Sequence, residues 1–204
     1  MKLYFSPGAC SLSPHIVLRE LGLPFDLVKV NLGEHKTQDG EDFKSINPKG
    51  YVPALKTDDG KVLTEGVAIN QYLADKKPEE KLAPANGSFE RYELQEWLNF
   101  ISTEVHKTYS PMFNSSLPDA VRAIFMDKLK KRFGEIDAVL AKHDFLTGSQ
   151  FTIADAYLYT VLRWAPKFQI DLKQWPSLAK FYDRVDQRPA VKAAVEAEAA
   201  AKAA

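Results

Sequence analysis

Twelve residues, Lys77 to Ser88, divide this 204-residue chain into two stretches of different texture. They contain Pro78, Pro84 and the pair Asn86-Gly87, all of which interrupt regular structure. Seven of the 10 glycines precede Lys77, where short extended runs alternate with helical ones. Beyond Ser88 the sequence becomes long and helix-periodic. We therefore expect one domain over residues 1–77, a linker over 78–87 and a second domain over 88–204. The chain is long enough for each to hold a core.

In the first stretch, Lys2 to Phe5 and Phe25 to Asn31 read as strands. Ser13-Pro14 reads as a helix start with proline at the first helical position, and Gly22 closes that helix. Asn47-Pro48-Lys49-Gly50 is a turn. Val52–Thr57 and Lys61–Leu63 then form a hairpin across Asp58-Asp59-Gly60, and a helix over about Glu65–Asp75 follows. The order is one βαβ unit joined to one ββα unit, an α/β sheet layer.

The second stretch reads as all-α. Leu94, Trp97, Leu98, Ile101 and Val105 mark one buried stripe, and Val121, Phe125, Leu129, Phe133, Ile136 and Leu140 another. Thr152-Ile153-Ala154-Asp155 has the form of a capping box, and Pro176–Val185 suggests one more helix. The Ala-rich tail, Ala190 to Ala204, favours helix but has little to bury, so it is expected to fray.

Lys plus Arg and Asp plus Glu both number 27, so a nucleic-acid partner, which needs surplus cations, is not expected. Met1-Lys2-Leu3-Tyr4-Phe5 runs straight into a strand, so a secretory leader is not expected, and no apolar run reaches membrane-spanning length. The expected location is the cytoplasm. Cys10 stands alone, which excludes an internal disulfide and a multi-cysteine zinc site, and no metal is expected.

Four groups carry candidate chemistry. Cys10 sits between the first strand and the first helix, where helix-start amides favour thiolate over thiol. A lone cysteine is otherwise a small buried hydrophobe, the commoner case. Val52-Pro53 places a residue without an N–H in a strand run, and for most X–Pro bonds trans is the default. Glu65-Gly66 opens a helix whose amides suit a carboxylate, with Glu65 available to an adjacent amino group; simple capping is the alternative. Asn99, Thr103 and His106, at i, i+4 and i+7, share a polar stripe that by pattern alone is a solvated face.

Together these stretches resemble the glutathione transferases, most closely the bacterial beta class. The shared runs are Met1–Tyr4 with Pro7-Gly8-Ala9-Cys10-Ser11-Leu12-Ser13, then Asn47–Gly50 with Val52–Leu55, and Leu63–Ile69. Glu96–Asn99, Glu104–Lys107 and Phe151–Tyr157 continue the match in order, up to Arg188-Pro189. The resemblance implies a thioredoxin-like N-terminal domain, an all-α C-terminal helical bundle and a cis peptide before Pro53. It implies glutathione as co-substrate, its γ-glutamyl end held by Glu65 and Gly66 and its cysteinyl backbone by Val52. Asn99, Thr103, Glu104 and His106 would serve from the helical domain, and the chain would form a homodimer.

The implied activity conjugates glutathione thiolate to electrophilic, largely apolar substrates in detoxification, with Cys10 and His106 as the catalytic candidates. Relatives that use a tyrosine or serine near the first strand keep Tyr4 and Ser11 in view. A glutathione-dependent thiol–disulfide oxidoreductase or peroxidase would use the same Cys10, and a non-enzymatic binding module is a third reading. The family's glycine-carboxylate lysine is replaced here by His35, followed by Lys36. Phe113 and Trp164 are the electrophile-site candidates, from a set that also includes Phe5, Tyr109 and Tyr157; aromatic residues in such a domain are more often plain core.

Overall fold

In a computed structural model that describes residues 1–203, the chain forms two compact units. One comprises Met1–Lys81 together with the chain from Asp186 onward; the other is Leu82–Val185.

The first unit is built on a five-stranded sheet of order β3-β2-β1-β4-β5. Its strands are β1 (Lys2–Phe5), β2 (Asp26–Asn31), β3 (Lys36–Thr37), β4 (Ala54–Lys56) and β5 (Val62–Thr64). β1 lies parallel to β2, and the other pairings are antiparallel. Central β1 has both faces covered: Leu3 and Phe5 point one way, Tyr4 the other, and all three are buried. Tyr4 packs on Phe43 of the short helix α2 (Phe43–Ile46), in a cluster with Val28, Val30, Val52 and Ala54. On the opposite face Phe5 meets His15 of α1 (Leu12–Glu20), against which α3 (Gly66–Ala74) packs.

The expected strands are present, with three differences. β3 and α2 are too short to leave a periodic signature. α1 starts at Leu12, so Pro14 stands at its third position rather than its first. The hairpin's first strand begins at Ala54 rather than Val52, because Pro53 has no N–H to give a ladder.

The tail departs most from expectation. Instead of fraying it forms α9 (Pro189–Ala203) and packs on α1 of the first unit, rather than with the helices that precede it in sequence. Val191 and Ala194 are fully buried. Arg188 also grips Glu20 through two bonds of 2.6 and 2.9 Å. Small side chains let the helix approach closely, and a period-based reading finds no large apolar stripe in such a segment.

The second unit is helical, as expected. α4 (Phe89–Phe100), capped by Ser88 through Arg91 N–H, runs into a π-helical turn (Ile101–His106) and the short α5 (Lys107–Tyr109). α6 (Asp119–Leu140), α7 (Ile153–Leu162) and α8 (Pro176–Asp186) complete it. Leu94, Leu98, Ile101 and Val105 are buried, as are Leu129, Phe133 and Ile136 of α6. Val121 is a correction: in the first turn of α6 it is exposed. The carboxylate of Asp137 on α6 accepts from Ser177 and Leu178 N–H, capping α8.

The capping box at α7 is formed by a fully buried carboxylate. Asp155 accepts from Thr152 N–H (2.7 Å), Thr152 Oγ1 (2.8 Å) and Leu146 N–H (2.9 Å). It thereby joins the helix start to the loop that leads into it. Burial pushes the Asp155 carboxyl up from 3.8 to about 6, against the opposing pull of these hydrogen bonds. Between these values the native state keeps a proton that the unfolded chain has lost, so the protonation-linked part of this group's contribution is full below about pH 4 and disappears as pH rises through about 6, while the three hydrogen bonds to the carboxylate remain. Asp155→Ala is expected to cost about 2 kcal/mol in urea unfolding at pH 7. Asp155→Asn is expected to flatten the pH dependence of the urea midpoint between about pH 4 and 6.

Candidate functional site

In the first unit, the loop after β1 is drawn tight by Ser11. Its hydroxyl accepts from Ser6 N–H (3.2 Å) and donates to Ser6 O (3.3 Å), and the side chain is fully buried. This fold leaves Cys10 half-buried just before α1, its Sγ 3.5 Å from the backbone oxygen of Val52. The Val52-Pro53 peptide is cis. Pro53 lies beside the start of α3, where its Cγ is 3.7 Å from where a Cβ on Gly66 would sit. Cys10, Val52, Pro53, Gly66 and Glu65 are thus brought to one end of the sheet by three separate loops.

The same geometry buries two of the candidates for thiol chemistry. Ser11 is spent on the loop. Tyr4 is buried against Phe43, and its phenol is pushed above its ordinary range by burial and then by the charge of Glu41. Cys10, like Ser6, keeps a half-buried side chain in this loop.

Glu65 does not cap α3 with its side chain. Its backbone has φ 69° and ψ 112°, a conformation that costs a non-glycine residue about 1–3 kcal/mol and is held only where the surroundings impose it. The carboxylate is exposed, accepting from Tyr51 OH at 2.7 Å and Lys49 Nζ at 2.9 Å. Sequence reasoning missed Lys49 and Tyr51 as neighbours of Glu65; the only sequence sign was their place beside the Asn47–Gly50 turn. That turn is stapled by buried Asn47, whose Nδ2 donates to Tyr51 O at 2.7 Å. Gly50 is required there: it has φ 72°, and a Cβ would stand 3.1 Å from the His35 ring. His35 Nδ1 lies 3.1 Å from Gly50 O, so this imidazole leans on the turn, while Lys36 is an exposed residue of β3.

In the second unit the polar stripe falls at the π turn. A π turn bonds i to i+5 and carries an extra residue, so His106 stacks over Ile101 rather than continuing the Asn99–Thr103 line that a regular helix predicts. Asn99 and Thr103 are exposed, and Thr103 Oγ1 donates to Asn99 O at 3.0 Å. His106 is half-buried, its Nδ1 2.6 Å from Tyr157 OH and its ring edge-on to Trp164 at 5.0 Å. Phe113, 42% exposed, meets Trp164 at 5.4 Å, so His106, Trp164 and Phe113 are brought together. Tyr109 and Tyr157 are buried beside them, while Phe5 is core of the first unit, against α1.

Family models for the glutathione S-transferase N-terminal and C-terminal domains match residues 8–76 and 100–189. The chain belongs to the glutathione S-transferase family. It is 46% identical to glutathione S-transferase GstA of Escherichia coli O157:H7, over 97% of this chain and 98% of that one. A sphingomonad glutathione S-transferase solved in complex with glutathione superposes with a TM-score of 0.95 at 46% identity, covering 98% and 99% of the two chains. The beta-class glutathione S-transferase of Sphingomonas chungbukensis superposes at 0.94 with 44% identity, covering 97% and 98%. The resemblance to the bacterial beta class, the thioredoxin-like sheet domain and the helical domain agree with these matches.

Glu104 points to α6: its Oε2 accepts from Arg132 Nη2 at 2.6 Å and Nε at 2.9 Å, with Lys128 Nζ at 3.3 Å. Hydrogen bonds from Arg132, then from Lys128, hold its carboxyl below the ordinary range. Arg132→Met should move the Glu104 titration, followed by NMR, back toward the usual carboxylate value. Because the pair is only partly shielded from water, the loss of stability should stay under about 1 kcal/mol and shrink with added salt.

Proposed function

We propose that this protein is a glutathione transferase that joins the sulfur of glutathione to an electrophilic, largely apolar carbon compound. The observation that carries the reading is the convergence, within one unit, of the Cys10 sulfur, the Val52 backbone beside Pro53, and a strained Glu65 at the start of α3. An extended peptide-like ligand takes backbone hydrogen bonds from a segment that stands outside the ladder, such as Val52, whose side chain is buried while its strand begins only at Ala54. An α-amino group suits the carboxylate of Glu65, and the adjacent α-carboxylate suits Gly66 at the start of α3. From the second unit, Asn99, Thr103, Glu104 and His106 are assigned to glutathione, and Phe113 and Trp164 to the electrophile.

The chemical task is to keep glutathione's sulfur ionised near neutral pH. A free thiol has a pKa near 8.5, and lowering it by about two units takes about 2.7 kcal/mol of differential stabilisation. One or two charge-assisted hydrogen bonds together with helix-start amides are of that size. Cys10, at the start of α1, and His106, oriented through Tyr157, are the residues assigned to it. The thiolate attacks the electrophilic carbon, a C–S bond forms, and the leaving group departs with its electron pair.

A second reading, disulfide or peroxide reduction through a Cys10–glutathione mixed disulfide, is favoured by the half-buried, accessible sulfur. The homodimer is supported by exposed apolar pairs on two helices of the second unit: Phe89 and Tyr92 on α4, and Val121 and Ile124 on α6. No helix among the described residues is long and apolar enough to cross a membrane. We place the protein in the cytoplasm, where a lone thiol stays reduced.

Calorimetric titration with glutathione should show binding that Glu65→Ala weakens about tenfold or more; unaltered binding would remove the γ-glutamyl assignment. Cys10→Ala, assayed separately for conjugation of a chloronitrobenzene and for reduction of a glutathione mixed disulfide, distinguishes the two activities. Loss of the second with retention of most of the first is expected if Cys10 only assists conjugation. Loss of both would make its sulfur essential to transfer.

A further inference from the structure

The loop that presents Cys10 is held by a residue from the far end of the chain. Glu198 on α9 is buried (3% exposed), and its Oε2 accepts the backbone N–H of Gly8 at 2.9 Å. Gly8 lies two residues before Cys10, at φ 76°. The other oxygen of Glu198, Oε1, lies 3.2 Å from Nδ1 of fully buried His15 on α1. His15 Nε2 in turn is 2.8 Å from Arg19 Nε.

The partners fix the protonation of this relay. Arg19 Nε–H can only donate, so His15 Nε2 must accept. The imidazole proton then sits on Nδ1 and is given to Glu198. Both carboxylate oxygens are thereby used, one on the helix that begins behind Cys10 and one on the loop in front of it. Ser11 closes the same loop at its base through Ser6. The relay thus spans α1 and the Cys10 loop with a single side chain that neither element supplies.

We propose that Glu198 is a positioning residue for the Cys10 sulfur: it sets the loop so that Sγ lies beside the Val52 backbone. This rests on the assignment of Cys10 to the glutathione site. Displacements of about an ångström at a reacting group are enough to change rates severalfold or more, so a slack loop is read in the chemistry and not only in stability.

The test uses Glu198→Ala and the isosteric Glu198→Gln in the full chain. A glutamine at 198 keeps an acceptor for Gly8, but its amide must donate to His15 Nδ1. That forces the proton to Nε2, where it meets the Arg19 donor. Both variants should change the rate of Cys10 alkylation by iodoacetamide at least about fivefold and raise the glutathione KM about 5–10-fold, with the electrophile KM held within about twofold. Arg19→Leu placed in the Glu198→Gln background should recover part of both losses, since it removes the donor that opposes the altered tautomer.

Folded Glu198→Gln protein that shows wild-type alkylation and glutathione KM, with only a lowered urea midpoint, would overturn the positioning role. The site assignment is read independently, from whether glutathione slows alkylation of Cys10 in the wild-type protein. Absence of that protection sinks the assignment, while an altered alkylation rate in the variants would still show that Glu198 sets the loop.

Discussion

A carboxylate taken out of water has to be met by several donors at once, and each compact unit of this protein is joined at such a point. In the second unit Asp155 gathers Thr152 and Leu146 at the start of α7. In the first, Glu198 gathers Gly8 and His15, elements more than 180 residues away in sequence. Desolvation makes both groups intolerant of losing a partner, so each fixes the relative place of everything it binds. A hydrophobic contact of similar strength would hold these segments together without specifying the loop geometry.

The chemistry of the first unit follows from that specification. Neither β1 nor α1 contributes a reactive group by itself. The loop between them does, and its shape is set by Ser11 from inside and by Glu198 from α9. The same economy appears at Glu65, whose backbone is forced into a conformation that no local preference supplies. The carboxylate is turned outward, toward Tyr51 and Lys49. Strain at a helix start and a borrowed clamp at a loop are two ways of fixing side chains that secondary structure leaves unspecified.

Much of the architecture was legible because it obeys simple periods. Short extended runs marked β1 and β2, 3.6-residue spacing marked α4 and α6, and the Thr152/Asp155 pair marked the start of α7. What escaped was whatever departs from a period or acts over a distance. The π turn at Ile101–His106 looks like ordinary helix in sequence, yet it moves His106 off the Asn99–Thr103 line. The tail reads as an alanine-rich helix with nothing to bury, because its partner surface on α1 lies at the other end of the chain. The site motifs around Cys10, Val52-Pro53 and Glu65 were visible as residue types. Their convergence was not, since it depends on the turn stapled by Asn47 and on the fall of Tyr4 and Ser11 into the core.

The return of α9 to the sheet also means that one unit is inserted within the other. Leu82–Val185 interrupts a fold whose two parts lie on either side of it in sequence. Joining those parts requires a long segment to be looped out, and an unstructured insert makes that closure entropically more expensive than a compact one. Collapse of the helical segment before α9 meets α1 would shorten that closure. A lesion that slows folding of the insert, far from any sulfur or helix start, would delay completion of the sheet unit as well.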